Sequence, residues 1–101
     1  MLTDPVTRRY QTALEMSGND LREEISSVRE RIMGYSSMDT EEGRNRQLEA
    51  RAEVLCLQAA LTQNGLDPKI PEWYFMSPQK KVEKYLGRAR RIYDQLGQVS
   101  F

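Results

Sequence analysis

Apolar and small residues recur along the first third of the chain at Val6, Tyr10, Leu14, Ser17, Leu21, Ile25, Val28, Ile32 and Tyr35, always three or four positions apart. That spacing keeps one face of an α-helix apolar for several turns, and it predicts a helix over about 4–34. Thr3 or Asp4 can cap it, and Pro5 suits its first turn. The stretch Ser17-Gly18-Asn19-Asp20 carries a stop signal and a new cap, since Gly and Asn weaken a helix interior. The apolar stripe nevertheless crosses it in phase. The pattern therefore favours one long helix kinked near Gly18 over two separate helices.

A clearer stop follows at Gly34 to Thr40. Asp39 with Glu42 has capping-box spacing, and a second helix is expected over 40–64, ending at Asn64-Gly65 before apolar Leu66. On a helical wheel, Leu48, Ala52, Leu55 and Ala59 share one arc, and Ala50, Val54, Leu57 and Leu61 share the opposite one. A helix apolar on two faces needs cover on two sides, so this is the central element. Its second cover comes after a connector at 66–77. Ser77 and Pro78 open a helix over 78–96, with Val82, Leu86, Ala89, Tyr93 and Leu96 on its apolar stripe and Gly97 as its end. No stretch alternates long enough to be a strand. The fold expected is all-α, one domain over residues 1–101. It is a three- to four-helix antiparallel bundle with a long first helix, a two-faced central helix and a basic C-terminal helix.

Composition narrows the chemistry. The 101 residues contain no histidine and one cysteine, which removes the commonest general base, a thiolate zinc site and a disulfide framework. Cys56 lies in the apolar run Glu53 to Leu61 and reads as core filling. Glu49 and Glu53 stand one turn apart but have no histidine to complete a di-iron motif. The acidic groups Asp20, Glu23 and Glu24, and Asp39, Glu41 and Glu42, stand near helix starts, where the macrodipole accounts for them. Phosphate-binding glycine loops and nucleophile elbows are missing. A non-enzyme without metal or cofactor is expected. The N-terminal sequence has no apolar leader and no run long enough to span a bilayer, so a cytoplasmic protein off the membrane is expected.

Three stretches remain as candidate contact surfaces. In the connector, Trp73, Tyr74 and Phe75 place three of eight aromatic residues side by side. The plainer account is that they anchor a long loop across the end of the helices. The functional account is that they are anchors for a partner, as aromatic side chains often are. On the last helix, Lys80, Lys81, Lys84, Arg88 and Arg91 gather opposite the apolar stripe. Lys and Arg number 7 against 4 acidic residues from Leu66 to Phe101, but 8 against 11 from Met1 to Gly65. A solvated outer face explains such a stripe, and contact with a partner's charges or with phosphates does so too. Finally, Leu21, Ile25, Val28, Ile32 and Tyr35 fall at a/d spacing, with Glu24 and Arg29 flanking the seam. A first helix of ~45 Å beside a second of ~36 Å would overhang, and that end would favour a homodimer.

The function expected is that of a small non-catalytic adaptor, inhibitor or assembly factor that binds another protein. Trp73, Tyr74 and Phe75 would serve as anchors, with Lys81, Lys84, Arg88 and Arg91 as charge contacts. The alternative is a nucleic-acid-binding protein that lays the basic face of its last helix on phosphates. A neutral total charge weighs against that alternative.

Overall fold

A computed structural model describes residues 4–66 and 75–99. It is all-helical, with 84% of the described residues in four helices and no strand among them. The helices are α1 (Pro5–Leu14), α2 (Gly18–Ser36), α3 (Glu41–Gln63) and α4 (Pro78–Val99). Each start is capped by a short polar side chain. Asp4 accepts from the Thr7 amide at 3.0 Å, Ser17 from Asp20 at 3.1 Å, Thr40 from Gly43 at 3.0 Å, and Ser77 from Lys80 at 3.3 Å. Every one of these bonds satisfies an amide that the helix itself leaves unpaired.

Two boundaries differ from the sequence reading. The first helix is two helices, because Ser17 adopts an extended backbone and its hydroxyl caps the next turn. The in-phase stripe misleads here because α1 and α2 both pack on α3, so each must present apolar residues on its own account. At its other end, α4 runs through Gly97 to Val99. A lone glycine weakens a helix by about 1 kcal/mol but does not stop it unless the chain turns left-handed there. That turn does occur after α3. Gly65 has φ of 77°, its amide reaches the Thr62 carbonyl at 3.1 Å, and the Leu66 amide reaches Leu61 at 2.9 Å. These paired bonds close the helix as a Schellman motif.

The core forms two clusters on two sides of α3. Ala52, Cys56 and Ala59 meet Val82, Tyr85, Leu86 and Ala89 of α4, with Val6 of α1 at the edge. Ala50, Val54, Leu57 and Leu61 meet Leu21, Ile25 and Val28 of α2, with Ala13 of α1. Tyr10 packs against both clusters. The short helix α1 thus lies across α3 like a strap, joining the α4 side to the α2 side.

The start of α3 depends on an absent side chain. A Cβ on Gly43 would sit 2.7 Å from the Met38 Cβ and 2.8 Å from the Met38 carbonyl oxygen. Glycine-to-alanine changes normally stabilise helices, by up to about 1 kcal/mol. Here the obstacle is backbone and a Cβ, which cannot rotate away, so Gly43→Ala is expected to cost about 1–3 kcal/mol. Urea denaturation reads the sign, and a gain in stability would show that the turn before α3 yields freely.

Candidate functional site

Between its two apolar arcs, α3 has two polar gaps, and the fold treats them differently. One gap carries Glu53 and is covered by α1. Arg9 of α1 donates to Glu53 in a short charged contact and lies 3.5 Å from Glu24 of α2. Arg31 of α2 approaches the same two carboxylates, at 3.8 Å from Glu24 and 3.6 Å from Glu53. The four groups are half-buried or more exposed, so solvent screens each pair, but together they tie three helices at one point. Farther along, Arg90 of α4 donates to the Thr7 hydroxyl at 3.0 Å and lies 3.7 Å from Asp4. The Thr7 hydroxyl and amide, with Arg90 behind them, hold the Asp4 carboxyl below its ordinary pKa.

The other gap, on the side of α3 away from α1, is left open by the described residues. Its floor is Val54 and Leu55 of α3 between Ile32 of α2 and Ile92 of α4. Its rim is four arginines: Arg29 of α2, Arg51 of α3, and Arg88 and Arg91 of α4. Among the described residues, no carboxylate lines it. The cleft has a volume of about 420 Å³, which is room for a row of side chains and not for a folded body. It continues towards the far end of α3, where Ile25 and Leu61 lie beside Arg29 and Leu66.

The sequence-predicted residues distribute as follows. Lys80, Lys84, Arg88 and Arg91 do share one surface of α4, together with Met76, Glu83 and Gly87. Arg88 and Arg91 belong to both that surface and the open cleft, so the two are continuous. Lys81 is half-buried beside that surface and does not line it. Phe75 is 97% exposed, next to Met76, Ser77 and Lys80. Trp73 and Tyr74 lie outside the described residues.

The supposed dimer seam is used within the chain. Leu21, Ile25 and Val28 are buried against α3, and Ile32 and Tyr35 pack against the same cluster. Glu24 pairs with Arg9 and Arg31 of its own chain. The overhang that motivated a dimer is also gone. With the break at Ser17, α2 measures ~28 Å against ~34 Å for α3.

Sequence reasoning set Arg29 beside a dimer seam and passed over Arg51, and so missed the cleft that both line. A signal was present: on the α3 wheel, Glu49 and Glu53 fill one polar gap while Arg44 and Arg51 fill the other. Cys56 is fully enclosed, its thiol 3.7 Å from the Val6 carbonyl, and burial pushes the thiol up to about 11. It has no exposure for reaction with a partner. Among the described residues, no group of three potential ligands is placed to hold a metal ion, and no helix is long and apolar enough to cross a membrane.

Comparison with protein families, with curated proteins and with solved structures finds no significant match.

Proposed function

We propose that this protein is a non-catalytic interaction module, an adaptor, inhibitor or assembly factor of the cytoplasm that acts by occupying a partner protein. The observation that carries the reading is the continuous surface formed by the basic face of α4 and the arginine-rimmed cleft beside it. In this reading the helices form an antiparallel bundle that serves as a rigid frame. The exposed ring of Phe75 stands at one end of the surface, and in this reading it acts as an anchor together with Trp73 and Tyr74. The α4 cations Lys81, Lys84, Arg88 and Arg91 steer and orient the partner. Nucleic-acid binding is the second reading, and the run of Lys80, Lys84, Arg88 and Arg91 on one surface is what favours it.

The test uses the full chain as immobilised bait, with and without nuclease, beside the variants Phe75→Ala and Arg91→Glu. Protein recovered by the native bait, insensitive to nuclease and lost with either variant at unchanged far-UV circular dichroism, is the expected result. Recovery that nuclease abolishes would transfer the surface to nucleic acid. Recovery indifferent to both substitutions would remove this surface from the function.

A further inference from the structure

The geometry points to an acidic amphipathic helix, supplied by the partner, as the occupant of the open cleft between α2 and α4. This rests on the interaction-module reading and specifies the element that the module recognises.

The walls decide what kind of segment fits. All three sides of the cleft are helices, whose backbone amides and carbonyls are engaged in their own hydrogen bonds. An extended peptide laid there would find no backbone groups to pair with, and its own would be desolvated without compensation. A helix brings its backbone already satisfied and offers a ridge of side chains to the groove. From Leu61 to Arg51 the cleft runs along ten residue steps of α3, or ~15 Å, which matches about three helical turns.

Charge decides the composition. Among the described residues, Arg9, Arg31, Arg44, Arg46 and Arg90 each lie within ion-pair distance of a carboxylate of this chain. Arg29, Arg51 and Arg91 on the cleft, Arg22 at its far end and Arg8 on α1 have no such pair and no side-chain hydrogen bond among the described residues. The chain has as many acidic residues as basic ones, so unpaired arginines gathered on one cleft do not reflect a shortage of carboxylates. Cations beside an apolar floor complement carboxylates that flank an apolar ridge.

The molecule also contains a worked example of a helix on α3. On the opposite side, α1 places Val6, Tyr10 and Ala13 against the two clusters, at steps of four and three residues, and sets Arg9 on the Glu53 carboxylate. In the open gap the corresponding mid-helix charge is Arg51, of reversed sign. The occupant should therefore resemble α1 in its apolar spacing and oppose it in charge. For the same reason α1 of a second copy, which carries Arg8 and Arg9, is a poor fit.

The probe is a fluorescein-labelled peptide of about 15 residues, long enough to be helix-competent, with leucines at three- and four-residue steps and glutamates flanking them. Its companions are the same peptide with lysine for glutamate and a scrambled peptide of identical composition. Fluorescence anisotropy with the full chain should show binding of the acidic amphipathic peptide alone. Arg51→Glu with Arg91→Glu should weaken it about tenfold or more and confer affinity for the lysine peptide. That gain cannot arise from unfolding. Arg8→Glu, on the far side, should leave binding unchanged.

Equal binding of the scrambled peptide would reduce the cleft to a charge patch and overturn the helix assignment. A sedimentation mass of two chains that falls to one in the double variant would place a second copy there. Salt-reversible oligonucleotide binding lost in the same variant would place nucleic acid there, and either result overturns the proposal. If the bait still captures a protein that the double variant captures equally, the cleft assignment fails while the interaction module stands. If capture and peptide binding are both absent, both fail.

Discussion

Replacing Leu57 with alanine should lower the unfolding free energy by about 3 kcal/mol, within the 2–5 kcal/mol typical of enclosed leucines. Leu57 is completely buried in the C-terminal half of α3, on the face that meets α2. Its neighbours there include Ala13, Ala50 and Ala60, whose side chains are too short to move into a void, and helix backbones that are fixed by their own bonds. The site therefore collapses only in part, and the cost of the residual cavity adds to the lost transfer energy. For a domain of about a hundred residues this corresponds to a fall in melting temperature of roughly 10–25 °C. Thermal and urea unfolding followed by circular dichroism measure it. A loss below about 1 kcal/mol would mean that α2 does not enclose this side chain.

The second large effect concerns alkaline pH. Burial raises the Cys56 thiol from 9.0 to about 11 in the folded chain, because ionisation would strand a thiolate in the core. The folded value lies above the unfolded one, so the associated stability is fully present below pH 9. It is lost as pH climbs from 9 to 11, by about 2–3 kcal/mol in total. Tyr10 and Tyr93 are also raised by burial and act in the same direction above pH 10. Urea midpoints between pH 8 and pH 11, compared with those of Cys56→Ala, isolate the thiol. The native chain should lose about 2 kcal/mol more across that range than the variant does. Parallel curves would show that the thiol ionises as freely in the fold as outside it.

Much of this architecture is legible in the residues because local signals and the apolar period agree. Asp4, Ser77 and Gly65 cap or close helices where their chemistry predicts, and the two arcs of α3 foretell its two clusters. The division of the first helix is not legible in the same way. A stripe in phase records that both halves face one core, not that the backbone between them is continuous. The cleft lies between these cases. The sign of the charge in each gap of α3 can be read from a wheel. That Arg29 of α2 and Arg91 of α4 line the same space follows only from the placement of their helices on either side of α3. No local pattern encodes that distance. The aromatic connector is the densest aromatic stretch of the sequence, and of its three adjacent rings the described residues include only Phe75.

The placement of α3 also bears on how the molecule comes apart. Because α1, α2 and α4 each dock chiefly on this one helix, α3 is the hub of the contact network. Losing any outer helix leaves a remnant organised on it, whereas losing α3 leaves three short segments with little to hold them together. Excursions from the native state should thus be graded. The ten-residue α1, with only Val6 and Ala13 buried, opens at the smallest cost, and α3 opens only with the whole chain. A partner seated in the open cleft would grip the hub itself, so its binding energy would add to the stability of the entire domain and not merely to that of one surface.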